Sequence, residues 1–164
     1  MKEEKPVRKA VKCILIKDGK VVVTKYKIPN KKAGYYELPG GKIEEGETTK
    51  QTAIREFQEE TGMLVSDLQR RGHMTIEYPN RIFSFEVFIA KTYSGEPTDF
   101  PENSSEWIEI SDVLAKEKKL AVFILLDPFI IEAILLKEDK HFSMKIWVDE
   151  SEMIQKIDYQ VEEK

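Results

Sequence analysis

The feature that most constrains the fold is a strongly helical segment, residues 48–61, which lies between runs of residues that favour strands. Thr48, with Gln51 three positions later, matches the capping-box pattern of a helix N-terminus, and Gly62 stands where a left-handed residue commonly ends a helix. Small and apolar residues recur at helical spacing along one face: Ala53, Ile54, Phe57 and Thr61. The segment therefore predicts a helix that packs one face against the rest of the protein.

Runs of strand-forming residues lie on both sides of this helix. Val11–Ile16 and Val21–Tyr26 are joined by Asp18-Gly19, a pair typical of a tight hairpin because both turn positions tolerate positive φ. A short segment, Tyr35–Leu38, comes later in the chain. The pattern predicts paired strands around 72–78 and 81–93, another strand at Trp107–Ile110, and a final hairpin of His141–Val148 with Met153–Val161. It also predicts a break at Pro39-Gly40-Gly41 and an apolar helix at Pro128–Leu136.

Strands mixed with two or three helices predict an α/β (α+β) fold in which helices cover a mixed sheet. Within 81–93, Phe85 and Val87 alternate with Ser84 and Glu86, which predicts a sheet with two unlike faces. A length of 164 residues is ordinary for one domain, and we expect residues 1–164 to form a single domain.

Composition disfavours several classes of function. The net charge of −4 disfavours binding to the backbone of a nucleic-acid polymer, which requires a positive surface. No run approaches the roughly 18 apolar residues of a membrane span, so we expect no membrane partner. Cys13 is the single cysteine, which excludes an internal disulfide and a zinc site built from cysteines. The charged N-terminus lacks the apolar run of a signal peptide, and we expect a cytoplasmic protein.

Three carboxylates share one face of the predicted helix. Glu56, Glu59 and Glu60 fall within about 100° of one another on a helical wheel, with Arg55 as the one basic neighbour. Such crowding costs a few tenths of a kcal/mol per pair, which a solvated acidic face tolerates. A hard cation such as Mg²⁺ prefers oxygen ligands and turns the same crowding into affinity. The helix alone is compatible with both interpretations.

A longer pattern surrounds these carboxylates. From Gly41 the chain runs through five residues to Glu47, then through seven to Arg55-Glu56-Phe57-Gln58-Glu59-Glu60-Thr61-Gly62-Met63. This pattern resembles the Nudix box, with Phe57 and Met63 at its two apolar positions. The resemblance implies the Nudix fold, with an added C-terminal β-hairpin, and an enzyme that uses Mg²⁺, or alternatively Mn²⁺.

The same resemblance implies roles for individual residues. The catalytic and metal-binding carboxylates are Glu56, Glu59 and Glu60, with the Gly40 carbonyl as a further metal ligand. The structural members of the box are Gly41, Glu47, Arg55 and Gly62, and Glu47 with Arg55 braces the loop–helix–loop. An additional metal ligand from a later loop corresponds to Glu102, which precedes Trp107; Glu106 is the alternative. The general base is Glu56 or, as second choice, Glu102.

The C-terminal third contains Leu135-Leu136-Lys137, His141-Phe142, Lys145-Ile146-Trp147 and Ile157-Asp158-Tyr159. These segments resemble the end of mammalian-type oxidised purine nucleoside triphosphatases. There, an acidic residue at the start of a helix contacts the base, and it corresponds to Asp127. Glu37 stands where those relatives have an asparagine that contacts the purine. Tyr35, Tyr36 and Phe83 are candidates for stacking on the base or for the core; of these we place Tyr36 among the substrate-binding residues.

The resemblance therefore implies hydrolysis of a nucleoside triphosphate to the monophosphate and pyrophosphate, with an oxidised purine nucleotide such as 8-oxo-dGTP as the leading substrate. That activity would give the protein a role in sanitising the nucleotide pool. One alternative is another nucleoside diphosphate derivative, such as a nucleotide sugar or a dinucleoside polyphosphate. A second alternative is a non-catalytic module that senses a nucleotide. In each case the partner is a small-molecule nucleotide, and the chain is a monomer or homodimer.

Overall fold

The structure is a computed structural model that describes residues 3–27, 36–114, 140–151 and 153–163. Tyr35, Asp127 and the predicted helix Pro128–Leu136 lie outside the described residues. The described elements, in chain order, are β1 Val7–Ile14, β2 Ile16–Lys17, β3 Lys20–Tyr26, β4 Tyr36–Glu37, β5 Gly40–Lys42, α1 Thr49–Thr61, β6 Leu64–Glu77, β7 Ile82–Ser94, β8 Asn103–Glu109, α2 Ile110–Leu114, β9 Lys140–Val148 and β10 Ile154–Glu163. The predicted mixture of strands and helices is confirmed.

The described strands form two sheets. The larger sheet has the order β10-β9-β6-β7-β1-β5, in which β1 runs parallel to β7 and β6 runs parallel to β9. Its remaining pairs are antiparallel and include the two predicted pairings, β6 with β7 and β9 with β10. In the smaller sheet, β3 pairs antiparallel with β2, β4 and β8. The mixed sheet is therefore confirmed.

The prediction for the first hairpin is right about its turn and wrong about its first strand. Asp18 and Gly19 have φ values of 51° and 75°, and β2 pairs with β3 across them. The run Val11–Ile16, however, is divided at Leu15, because β1 ends at Ile14 and pairs with β7 and β5 in the larger sheet. A continuous apolar run has the same local pattern in either sheet, so the division could not be seen in the sequence.

Two other predicted boundaries also need correction. Gly40 and Gly41 do not break the chain but form β5 with Lys42, paired with β1. A side chain on Gly40 would overlap the carbonyl oxygen of Val11, so the absence of a Cβ is what allows this close pairing. The strand predicted from Trp107 begins earlier, at Asn103, and ends at Glu109, because the next residue starts α2.

Strand β7 separates two apolar cores. Phe85 and Val87 face a core to which both sheets contribute, whereas Phe88 faces a second core beneath α1. The predicted difference between the two faces is thus confirmed, and the face that carries Ser84 and Glu86 becomes apolar where α1 covers it. Among the described helices, none has the length and apolar character to cross a bilayer.

Candidate active site

Helix α1 begins and ends as its sequence predicts. The Gln51 backbone N–H donates to Thr48 Oγ1 at 3.1 Å, and the Thr48 N–H donates to Gln51 Oε1 at 2.9 Å, which completes the capping box. At the other end Gly62 has a φ of 76°, and its N–H donates to the Gln58 carbonyl. The predicted stripe is confirmed, since Ala53, Phe57 and Thr61 are buried. These caps fix where the glutamates of α1 stand.

Arg55 and Glu47 form the predicted ion pair between α1 and the loop before it. Arg55 Nε and Nη2 donate to the two oxygens of Glu47 at 2.8 and 2.9 Å. Arg55 Nη2 also donates to the Lys42 carbonyl, and the Glu47 carboxylate accepts from the backbone N–H of Glu44. These partners, Arg55 first, lower the pKa of Glu47 to about 2. Glu47 is therefore compensated inside the protein and holds the loop against α1.

The three predicted metal ligands have different surroundings. Glu56 is mostly buried, accepts from Arg55 Nη1 at 2.8 Å and lies directly over Gly41, where a Cβ would overlap its carboxylate. Glu59 is exposed and accepts from the same Arg55 nitrogen at 3.2 Å. Glu60 is partly buried, and the Gly40 backbone N–H donates to its carboxylate. The structure thus places Glu56 and Glu60 beside the two glycines of β5.

Two of these carboxylates have raised pKa values, whereas the pKa of Glu47 is lowered. Desolvation raises the pKa of Glu56, and the charge of Glu59 adds to this effect. Desolvation also raises the pKa of Glu60 well above its usual range, with further contributions from the charges of Glu37 and Glu56. A nearby cation would stabilise the charged form of both groups.

Lys12, which the sequence analysis missed, pairs with Glu37, which was predicted only as a contact to the base. Lys12 on β1 is 3% exposed, and its Nζ lies 3.5 Å from Glu37 Oε1 on β4. The Lys12 ammonium also donates to the Leu38 carbonyl at 3.4 Å, and its charge lowers the pKa of Glu60. The available signal was a lysine within an apolar strand run, flanked at alternate positions by Ala10 and Ile14, which both face the core.

Comparison with known proteins identifies the family. A profile described as NUDIX domain matches residues 6–126, which include α1 and the loops that flank it. The chain belongs to the Nudix hydrolase family.

Named relatives agree with this assignment. The oxidized purine nucleoside triphosphate hydrolase of Danio rerio is 34% identical over 83 residues, which are 49% of this chain and 53% of that protein. The 8-oxo-dGTP diphosphatase of Escherichia coli (strain K12) is 29% identical over 106 residues, which are 65% of this chain and 82% of that protein. The crystal structure of a mutator MutT protein from Bacillus halodurans superimposes with a TM-score of 0.77 at 23% identity, covering 93% of this chain and 97% of its own, and shows the same fold.

Nudix hydrolases generally depend on a divalent metal, and the donor set of this chain fits one. Glu56, Glu59 and Glu60 offer carboxylate oxygens, which hard divalent cations prefer, and two of the three are destabilised in their charged form by burial. Within the described residues, no three carboxylate, imidazole or thiol groups converge to form a ready-made metal site. The reason is that Glu56 and Glu59 both turn toward Arg55, while Glu60 turns toward the Gly40 amide.

The loop that carries Glu102 lies against the C-terminal end of α1. Asn103 Nδ2 donates to the Glu60 carbonyl at 2.8 Å, and the Thr98 N–H donates to the Thr61 carbonyl. Glu102 itself is exposed, with its carbonyl accepting from the Lys27 N–H. The sequence analysis missed Asn103, because an asparagine that caps a distant helix has no local signature. The loop therefore brings Glu102 near the C-terminal end of α1.

The alternative ligand, Glu106, lies on the face of β8 that points away from α1. Tyr36 donates its hydroxyl to Glu106, and this hydrogen bond raises the pKa of Tyr36 to about 12. Lys25 lies over the Tyr36 ring, 5.4 Å from its centroid. On the α1 side of the same strand, Asn103 and Ser105 reach the carbonyls of Glu60 and Thr61. Glu102 therefore remains the better candidate for a metal ligand.

Proposed function

We propose that this Nudix hydrolase cleaves a nucleoside triphosphate to the monophosphate and pyrophosphate, with Mg²⁺ as its metal. The observation that carries the proposal is that glutamates of one motif have oppositely shifted pKa values. Glu47 accepts from two Arg55 nitrogens and has a lowered pKa. Glu56, which accepts from one Arg55 nitrogen, and Glu60 are partly buried and raised in pKa beside Gly41 and Gly40. A site of this kind is completed by a divalent cation that carries phosphate oxygens.

We assign the metal to Glu56, Glu59 and Glu60, with the Gly40 carbonyl and Glu102 as further ligands. A metal held there would supply acidification of the attacking water and would offset charge on the phosphates. We assign the general base to Glu56, whose carboxylate lies directly over Gly41 and would accept the proton of that water. Arg55 orients Glu56 through the bond from Nη1, while its other nitrogens hold Glu47.

An oxidised purine nucleotide such as 8-oxo-dGTP is the proposed substrate. Support comes from the relatives named for this activity in Danio rerio and Escherichia coli, which are 34% and 29% identical over the matched residues. We assign contacts with the base to Asp127 and Tyr36. Tyr36 already holds Glu106 by a hydrogen bond, so its ring is fixed in place.

A pyrophosphate-release screen with Mg²⁺ tests the proposal. The substrates are 8-oxo-dGTP, dGTP, a nucleotide sugar and a dinucleoside polyphosphate. We expect kcat/KM for 8-oxo-dGTP to exceed that for dGTP by about tenfold or more, a difference that a few polar contacts to the base supply. Equal rates for all triphosphates would reject the sanitising role, and preference for the sugar or dinucleoside derivative would select the alternative substrate. Binding of nucleotide without hydrolysis would indicate a sensing module.

Glu59→Gln is the variant that tests the metal assignment. Removing this charge leaves the capped helix intact and is expected to reduce kcat at least about 100-fold, because a metal ligand is lost. Glu45→Gln is the matched control, since Glu45 is an exposed acid in the loop before α1. Near-normal Mg²⁺-dependent turnover by Glu59→Gln would overturn the metal assignment.

A further inference from the structure

Strand β10 lies at one edge of the larger sheet, and among the described strands it pairs with β9 alone. Its ten residues, Ile154–Glu163, make it the longest edge strand that the structure describes, since β5 at the opposite edge has three. The main-chain N–H and C=O groups on the outer side of an edge strand can pair with a strand of another chain. Strand β10 therefore offers a second chain a place to extend the sheet.

One side of β10 carries apolar residues that reach solvent. Three of its residues lie directly opposite residues of β9 that belong to the core shared by both sheets: Ile157, Tyr159 and Val161. Directly opposite residues point to the same side of a sheet. Ile157 packs against this core, whereas Tyr159 and Val161 are 42% and 38% exposed. The apolar side of the sheet therefore continues to its edge.

The other side of β10 carries polar and charged residues. The residues that alternate with the apolar ones are all exposed: Lys156, Asp158, Gln160 and Glu162. Lys156 Nζ lies 4.8 Å from the centroid of the Trp147 ring on β9. Charges on an edge strand commonly prevent pairing between chains, whereas opposite charges that face each other across two strands stabilise the pair. The arrangement of these charges in a pair of β10 strands therefore decides between the two outcomes.

A two-fold axis perpendicular to the sheet at Tyr159 places opposite charges face to face. Two copies of β10 then run antiparallel, with the following residues directly opposite each other: Lys156 and Glu162, Ile157 and Val161, and Asp158 and Gln160. Each of these pairings occurs twice because the axis relates identical chains. The arrangement forms two ion pairs and two apolar pairs, and it places no two like charges opposite each other.

The neighbouring two-fold arrangements place like charges together. An axis at Asp158 sets the Asp158 carboxylates of the two copies opposite each other. An axis at Gln160 sets Asp158 opposite Glu162 twice. Like charges directly opposite destabilise a pair of strands, and a shift by a single residue would put the apolar side of one copy on the charged side of the other. The sequence of β10 therefore favours the axis at Tyr159.

We propose that β10 is an interface between two copies of this chain, which extend the larger sheet by antiparallel pairing of β10 with β10 about Tyr159. The inference goes beyond the proposed function, since it assigns no residue of β10 to the reaction. The paired segments are short, so we expect a weak dimer with a dissociation constant on the order of 10 µM.

Two charge-reversal variants of the full chain test the arrangement by sedimentation velocity at low salt. Lys156→Glu places acids opposite each other at both ion pairs, and Glu162→Lys places lysines opposite each other. Each variant alone is expected to weaken dimerisation at least about tenfold. An equimolar mixture of the two variants is expected to dimerise within about threefold of wild type, because each substituted residue then faces an opposite charge.

Matched variants separate the interface from general effects of charge. Lys9→Glu reverses an exposed lysine of β1 and is expected to dimerise as wild type does. Val161→Lys is expected to weaken dimerisation at least about tenfold, because it replaces an apolar residue that faces Ile157. Val7→Lys, at a valine of β1 that is 56% exposed, is expected to have no effect. Circular dichroism of each variant checks that the fold is retained.

Three results would overturn the inference. A wild-type chain that remains monomeric up to about 300 µM would show that the charges of β10 protect the edge from pairing. A dimer that Lys156→Glu and Glu162→Lys leave unchanged would lie at another surface. A mixture that dimerises no better than the separate variants would exclude the axis at Tyr159. Pyrophosphate release by the wild-type chain is measured separately, and its absence would overturn the proposed function without affecting the dimer.

Discussion

Glu47 and Glu60 belong to the same family motif and lie near opposite ends of α1, yet their carboxylates have opposite surroundings. Glu47 accepts two hydrogen bonds from Arg55, and its pKa is lowered to about 2. Glu60 is partly buried beside Glu37 and Glu56, and its pKa is raised well above the usual range. One carboxylate is stabilised by the protein itself, and the other is destabilised by it.

From this difference we propose which glutamates of the motif serve the fold and which serve the chemistry. A charge that is already compensated contributes stability and has no need of a ligand. A charge that is buried without full compensation costs stability until a cation binds, and functional sites are where such costs persist. We therefore assign Glu47 to the framework of the site, and Glu56 and Glu60 to the metal.

The largest expected effect comes from Glu60→Gln. Loss of this ligand is expected to reduce kcat by about three orders of magnitude, because metal-assisted hydrolysis depends on it. The same substitution removes a desolvated charge, so the thermal midpoint of the metal-free protein at pH 8 is expected to rise by about 2–4 °C, as for roughly 1 kcal/mol of stabilisation. Thermal unfolding in chelator and pyrophosphate release measure the two effects. If metal-free Glu60→Gln were less stable than wild type, the Glu60 carboxylate would not be destabilised by the protein, and the contrast with Glu47 would fail.

The two glycines of β5 provide the next largest effect. A Cβ on Gly41 overlaps the Glu56 carboxylate, which is the mobile end of a side chain, so Gly41→Ala is expected to displace Glu56 and to lower kcat about 100-fold with little loss of stability. A Cβ on Gly40 overlaps the Val11 carbonyl, which is backbone, so Gly40→Ala is expected to destabilise the protein by about 2 kcal/mol or more. Denaturant unfolding and kcat, measured on both variants, check this. Equal loss of stability in the two variants would show that Gly41 is a folding requirement.

Glu47→Gln is expected to have the smallest effect on turnover, less than about tenfold, and to lower the thermal midpoint. The effect depends on pH with a definite sign. Because the folded-state pKa of Glu47 is depressed, its contribution to stability is present above its usual pKa and is lost as pH falls through about 2. The stability gap between wild type and Glu47→Gln is therefore expected to close between about pH 4.5 and pH 2.

In metal-free protein, the difference in stability between wild type and Glu60→Gln is expected to have the opposite sign, with the variant more stable. The folded-state pKa of Glu60 is raised, so its carboxylate destabilises the protein as pH rises above the usual value for glutamate. The free energy of unfolding of Glu60→Gln is therefore expected to exceed that of wild type by more as pH rises. In acid the two proteins are expected to be equally stable. Urea unfolding across a pH series, in chelator, measures both gaps. If both variants became less stable than wild type as pH rose, or both more stable, the distinction between Glu47 and Glu60 would be lost.

The parts predicted correctly from the sequence are those that local pattern determines. The capping box of Thr48 and Gln51, the Gly62 terminus and the Asp18-Gly19 turn all depend on residues a few positions apart. The pairing of Glu47 with Arg55 was also predicted, from the resemblance to the family motif. Such features need no knowledge of which strands meet.

The parts that were missed depend on contacts between distant segments. The division of the first strand run at Leu15 is decided by pairing with β7, far along the chain. The pairing of Lys12 with Glu37, and the bond from Asn103 to the Glu60 carbonyl, join elements whose separation in sequence carries no periodic signal. These contacts could be found only once the strands and α1 were placed in space.

The most direct test of the central claim is the change in thermal midpoint on adding saturating Mg²⁺ to wild type, Glu47→Gln and Glu60→Gln. A cation that binds only the folded protein stabilises it by roughly 2.7 kcal/mol at a concentration 100 times its dissociation constant. Wild type and Glu47→Gln are therefore expected to rise by about 5 °C or more, whereas Glu60→Gln rises by less than about 1 °C. A rise for Glu60→Gln equal to that of wild type would contradict the assignment of the metal to this end of α1.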